Sequence, residues 1–225
     1  MTTRWSVPPM WRGETVAILA SGPSMSREVA DSVRGQCRVI AVNNQGIDTE
    51  VDNQVVPALA PWADMLYAAD DPWWRFHKSR ALKFAGLKVT IREVLPYPEV
   101  LALRESELPI FDERLSHITT GKNSTYQAVH IAVHAGASRI LLFGVDMRDV
   151  EGKKHWFGSH PPQLGQGMLY VEWLRAFDRL AVYLNRRGVE VFNCTPGSAL
   201  KCFPFLSLNE ALSVRTDSRA AVLSA

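Results

Sequence analysis

The stretch AILASGPSMS, residues 17–26, decides how this chain is read. An apolar run ends at Leu19 and Ala20, gives way to Ser-Gly-Pro-Ser, and leads into a helix expected from Ser26 to Arg34. A buried strand that passes through a small-residue turn into a helix is the opening unit of a parallel α/β sheet. Two physical demands would each select small residues at such a turn. One is packing at a tight corner. The other is an anion held close to the backbone, because Gly22 permits close approach and a helix start aims free N–H groups outward. Ser21 and Ser24 add hydroxyl donors, so Ser21, Gly22, Pro23 and Ser24 form a first candidate phosphate site. Two familiar phosphate loops do not occur. There is no G-x-x-x-x-G-K-[ST] and no G-x-G-x-x-G. The second strand ends in Asn43-Asn44 in place of an acidic ribose clamp, which disfavours an ordinary NAD site.

Outward from this turn, further apolar runs follow at RVIAV (38–42), DMLYAA (64–69), LKVTI (87–91), RILLFGV (139–145) and VEVFN (189–193). Helices are expected from Pro72 to Phe84, Ser124 to Ala135 and Gly165 to Arg187. Strands alternate with helices, and most strands read as continuous apolar runs. That pattern belongs to a sheet buried on both faces. The sequence therefore predicts an α/β fold: a Rossmann-like, mostly parallel sheet with helices on both faces, in a single domain over 15–212. Residues 1–14 are expected to be an N-terminal extension, and 213–225 a flexible tail. Ligands of such sheets sit beyond the carboxyl ends of the strands.

Composition narrows the classes. A chain of 225 residues can bury one large core. Its net charge of +2 is too small to argue by itself for nucleic acid or a membrane surface. No run of about 18 apolar residues is present, so no membrane span is expected. The first residues, MTTRWSVPPMW, carry no apolar signal core. Cys37, Cys194 and Cys202 lack paired short spacing, which suggests reduced thiols and a cytoplasmic location.

Two other segments carry candidate chemistry. In HITTGKNSTYQAV (117–129), Thr119, Thr120, Gly121 and Lys122 precede a helix. They read either as a second anion-binding helix start or as a well-furnished N-cap. In GVDMRDVEGKKHWFGSHPP (144–162), a polar stretch follows the most apolar strand. It holds Asp146, Arg148, Lys153, Lys154, His155 and His160, with Gly152 and Gly158 suited to a mobile lid. Its histidines are either general bases beside a bound phosphate or surface residues. His130 and His134 lie four apart without the glutamate of a zinc helix, so no metal site is expected. Asp70 and Asp71 would hold Mg²⁺ or a substrate hydroxyl. Trp73 and Trp74 would stack on a base or belong to the core.

The ordered set AILASGPSMS, VIAVNN, HITTGKNSTYQAVHIAVHAGASRILLFGVDM, HWFGSHP and VFNCTPGSALKCFPFLSLNEAL resembles bacterial sialyltransferases of the lipooligosaccharide type. It is also similar to a broader group of motility-associated glycosyltransferase-like proteins and hydroxymethylpterin diphosphokinases, and to small phage and prophage proteins. The resemblance spans most of residues 15–212. It implies that Ala20–Ser24 hold nucleotide phosphates, that Asn43 follows the second strand as in the family, and that Thr119-Thr120-Gly121 contact the nucleotide. It places the family's catalytic histidine on His160, across one inserted residue, Ser159, and the first histidine of that segment on His155. Where the sialyltransferases carry an arginine before their Ile-Thr-Ser-Gly, this chain has His117. Where they carry a tyrosine after Ile-Asp-Phe, it has Arg148.

The expectation is a nucleotide-dependent transferase, foremost a glycosyltransferase with a nucleotide-sugar donor and a histidine base. Its nucleotide site would comprise Ser21–Ser24, Asn43, Asp71, Thr119–Lys122, Asp146 and Arg148. Lys122, Arg148 and Lys153 would neutralise phosphate charge. The alternatives are a diphosphokinase, which would use Mg²⁺, and a non-enzymatic phage accessory or assembly protein. The acceptor is open. A nucleic acid acceptor has little support from the charge, and an oligomer is compatible with everything above.

Overall fold

The structure is a computed structural model and describes residues 1–51, 53–93, 95–164 and 167–213. The strands are β1 (Thr3–Arg4), β2 (Thr15–Leu19), β3 (Arg38–Val42), β4 (Thr49–Val51), β5 (Gln54–Val56), β6 (Met65–Tyr67), β7 (Leu87–Thr90), β8 (Leu101–Ala102), β9 (Arg104–Ser106), β10 (His117–Thr119), β11 (Arg139–Phe143) and β12 (Glu190–Asn193). The helices are α1 (Arg27–Val33), α2 (Asp71–Ala81), α3 (Ser124–His134), α4 (Tyr170–Arg186) and α5 (Leu208–Ser213).

Eight strands form one sheet in the order β1-β8-β7-β6-β3-β2-β11-β12, and every ladder in it is parallel. The largely continuous apolarity of the central strands has a direct cause. Successive side chains point to opposite faces, and both faces are covered. Val16 and Ile18 of β2 enter the core shared with α3 and α4, while Ala17 and Leu19 enter the core shared with α1 and α2. The chain moves outward from β2 through β3, β6, β7 and β8, then returns to the far side of β2 with β11 and β12. Strand order thus reverses between β2 and β11. A crevice opens at the carboxyl ends of such a pair, because the two following connections leave in opposite directions.

Several elements lack a strong sequence signal. β1 and β8 are two residues each, too short to show a period. β4 and β5 form a separate antiparallel hairpin, and β9 and β10 a separate parallel pair. Residues 1–14, expected as an extension, join the fold. Thr3 and Trp5 bond to the backbone at Val100 and Ala102, and Val7 and Trp11 are buried. The helix expected from Gly165 begins at Tyr170, and Gly165 and Gln166 lie outside the described residues. Of the expected tail, residues 214–225 also lie outside them, while Ser213 closes α5. Among the described residues, no helix is long and apolar enough to cross a membrane.

Candidate functional site

A large cleft opens at the carboxyl edge, across the β2–β11 reversal. Its floor comes from the turns after four adjacent strands: Ala20–Pro23 after β2, Asn43 after β3, Asp70 after β6 and Gly144–Arg148 after β11. Lys122–Thr125, at the start of α3, form one wall. Lys154, His155, His160, Gln163 and Leu164 of the long segment after β11 close over it, with Tyr170 and Trp173 from α4.

The turn after β2 is tight for an internal reason. A Cβ on Gly22 would lie 2.0 Å from Asp146 Oδ2 and 2.4 Å from the carbonyl oxygen of Gly144. One on Gly144 would lie 2.2 Å from Met25 Cγ. The Gly22 N–H donates to the Gly144 carbonyl at 2.8 Å, so the ladder continues beyond the strand ends into two interlocked turns. The Ser24 hydroxyl donates to Asp146 Oδ2 at 2.8 Å, and the Ser24 N–H points to the same atom at 3.4 Å. The carboxylate held by this turn is the protein's own. Burial raises the Asp146 carboxyl above its ordinary range, and the bonds from Ser24 oppose that rise.

The start of α3 is likewise self-satisfied. Asn123 Oδ1 accepts from the N–H groups of Thr125 and Tyr126 at 2.9 and 3.1 Å. Thr119 and Thr120 do not line the cleft. The Thr119 N–H donates to His130 Nδ1 at 3.0 Å, and the Thr120 carbonyl accepts from Gln127 Nε2 at 2.9 Å. Gly121 is also outside the lining. It is at φ +51°, where a Cβ would press on the Tyr126 ring at 2.5 Å. The positive charge of the cleft therefore comes from side-chain cations more than from helix-start amides. Lys122, Arg148 and Lys154 line it. Arg148 is steadied by donating from Nε to the Gly197 carbonyl at 2.9 Å.

The backbone around the cleft is strained in a consistent way. Asn43, Lys122 and Met147 all have φ between +53° and +55°, and all three line the cleft. Such conformations cost about 1 kcal/mol or more and persist where surrounding structure imposes them, as at binding sites.

The two histidines meet edge to face, with ring centroids 4.6 Å apart. His155 also stacks on Phe157, and the segment is tied across the cleft by the Trp156 N–H, which donates to the Ser21 carbonyl at 3.2 Å. Burial lowers the His155 imidazole, while a hydrogen bond to the Ser21 backbone works the other way. Burial, with His155 and His77 nearby, pushes His160 down to about 4. Its Nδ1 is buried with no hydrogen-bond partner among the described residues.

The two aspartates expected together are separated in role. Asp71 pairs with Arg75 across one helical turn at 2.5 Å and is outside the lining, whereas Asp70 faces the cleft. Trp74 is wholly buried, while the largely buried Trp73 reaches the cleft wall and donates from Nε1 to Asn44 Oδ1 at 2.7 Å. His130 and His134 serve the backbone at Thr119, Asp112 and His117. Among the described residues, no three His, Cys, Asp or Glu side chains gather as a metal site would require. Sequence reasoning missed Tyr170 and Trp173, which sit three apart at the start of α4 and line the cleft. Tyr170 donates to Asp149 Oδ1 at 2.8 Å.

Ser21, Gly22, Pro23, Asn43, Lys122, Asp146, Arg148, His155 and His160 are thus brought to one cavity, and Ser24 braces it through Asp146. Compared with known protein families, curated proteins and solved structures, the chain matches none.

Proposed function

We propose that the cleft binds a nucleotide and that the protein is a nucleotide-dependent transferase, foremost a glycosyltransferase drawing on a nucleotide-sugar donor. One juxtaposition supports this reading above all: three cations, Lys122, Arg148 and Lys154, share a cavity with His155 and His160 at a strand-order reversal. The cations would take the phosphates, whose charge grows as the bond to the sugar breaks. His160 is taken as the base, because its ring lines the cleft and Nδ1 makes no hydrogen bond among the described residues that would fix its tautomer. At neutral pH the His160 ring is uncharged, as a base must be, and a phosphate bound beside it raises its proton affinity. In the proposed step His160 takes the acceptor's hydroxyl proton. The acceptor oxygen bonds to the anomeric carbon, and the nucleotide leaves with the electron pair of the broken C–O bond.

Donor hydrolysis, with water in the acceptor's place, tests this without knowledge of the acceptor. His160→Ala should slow nucleotide release from a sugar nucleotide by about 10²–10⁴-fold while calorimetric affinity for the nucleotide stays nearly constant. Full activity in both His160→Ala and His155→Ala would contradict the mechanism. Loss of binding in either would make that histidine a phosphate ligand.

A diphosphokinase is the second reading, favoured by Asp70, a carboxylate that lines the cleft and caps no helix amide. Asp70 and the substrate's phosphates would together hold Mg²⁺ there. Turnover that stops in EDTA and yields AMP from ATP would select it over glycosyl transfer.

A further inference from the structure

One cleft carboxylate is left without work in the protein. Asp70 is the N-cap residue of α2, yet its side chain makes no capping bond, and no hydrogen bond or ion pair engages it among the described residues. Its neighbour Asp71 is spent on Arg75, and the other cleft carboxylate, Asp146, is spent on Ser24. An ionised carboxylate only accepts hydrogen bonds, so what it binds must bring donors.

Its position limits the choice. Asp70 follows β6, and Arg148 and Lys154 belong to the segment after β11. The intervening strand neighbours are β3 and β2. Three strand spacings separate the two ends of the cleft, roughly 14 Å at about 4.8 Å each. A ligand with phosphates on the cationic side therefore reaches Asp70 with a part distant from them. A cationic group there is disfavoured, because the cleft already carries three cations. Among neutral donors, a vicinal diol presents two O–H groups to the two oxygens of one carboxylate. Trp73, fixed by Asn44, supplies an adjoining apolar surface for the ring that bears the diol.

Resting on the nucleotide reading above, we propose that Asp70 accepts hydrogen bonds from a vicinal hydroxyl pair on a sugar of the bound ligand and so sets specificity for it. The sugar is either the nucleotide's ribose or the transferred sugar of the donor. Burial also raises the Asp70 carboxyl, only partly offset by Arg92. Its ionised form weighs against folding at neutral pH, as expected of a group kept for a ligand.

The test is calorimetry on the wild type and Asp70→Asn with CMP, UMP, GDP and ADP, their 2′-deoxy counterparts, UDP-glucose and UDP-2-deoxyglucose, each with and without EDTA. Asp70→Asn should weaken binding of the hydroxyl-bearing ligand about tenfold or more. Removing one hydroxyl from that sugar should cost the wild type a similar factor and cost Asp70→Asn little, as a coupled pair requires. An effect confined to the 2′-deoxy nucleotides names the ribose, and one confined to the 2-deoxyglucose donor names the transferred sugar. The thermal midpoint of Asp70→Asn should not fall, since burial opposes this charge more than Arg92 supports it. The deoxy-ligand comparison on the wild type stands even if the variant misbehaves. Wild-type binding unchanged by Asp70→Asn overturns the proposal and leaves nucleotide binding intact. An effect abolished by EDTA reassigns Asp70 to a cation and overturns it as well. Silence across the whole set overturns both this proposal and the nucleotide reading.

Discussion

At the scale of single residues, Ser24, Gly22 and Asp146 form a clasp between two turns that are 122 positions apart in sequence. The turn's small residues were legible from AILASGPSMS, and both demands named for them, packing and an anion, are met by one partner. That the anion is Asp146 could not be read, because nothing local in either segment records a pairing over that separation. The clasp makes Gly22 a structural position first. Gly22→Ala should lower stability by about 2 kcal/mol or more, since its Cβ would overlap a carboxylate and a backbone carbonyl. Ser24→Ala should cost about 1–3 kcal/mol, the usual worth of a hydrogen bond to a charged group. Urea unfolding of both variants checks this. Unchanged midpoints would mean that the two turns do not depend on each other.

At the scale of elements, α3 is where the sequence was over-read and under-read at once. Thr119 to Lys122 suggested a phosphate loop, yet only Lys122 of the four lines the cleft. His130 and His134 read as an incomplete metal motif, and they hold the loop before α3 in place. His130 Nδ1 accepts from the Thr119 N–H, so its Nε2 carries the proton and donates to the Asp112 carbonyl at 3.0 Å. Only a neutral ring fits both. His130→Ala should cost about 2–4 kcal/mol, because two buried backbone groups lose their partner. Denaturant titration measures that cost, and nucleotide affinity should fall with it as Lys122 loses its setting. The cations themselves are exposed or nearly so, and single changes should be mild. Lys154→Ala should weaken nucleotide binding about three- to tenfold, with smaller losses at high salt as screening grows. Equal affinity in low and high salt would argue that charge does not hold the ligand.

At the scale of the molecule, the parallel sheet was legible because burial on both faces leaves continuous apolar runs. The two-residue strands β1 and β8 and the separate β4–β5 and β9–β10 pairs were not, since short strands carry no period. Buried imidazoles give the whole fold a pH dependence. Burial lowers His77 to about 4, His130 to about 3 and His160 to about 4, and it also lowers His134 and His155. Below about pH 6.5 the unfolded chain therefore binds protons that the folded chain refuses, and stability falls as pH falls. Asp70 and Asp146, both raised, act in the opposite sense, but two carboxylates face five imidazoles. The thermal midpoint should drop steadily from pH 7 to pH 4.5, and a flat profile would show that these rings are not held neutral. The central claim is that the carboxyl edge of the sheet, at the reversal between β2 and β11, receives a nucleotide. Backbone amide NMR shifts during titration with CMP, UMP, GDP and ADP test it most directly. The account predicts saturable shifts at Ser21–Ser24, Asn43, Lys122–Thr125 and Gly144–Arg148, with the separate hollow at Phe203–Phe205 unmoved. Shifts centred elsewhere, or none with any of the four nucleotides, would contradict it.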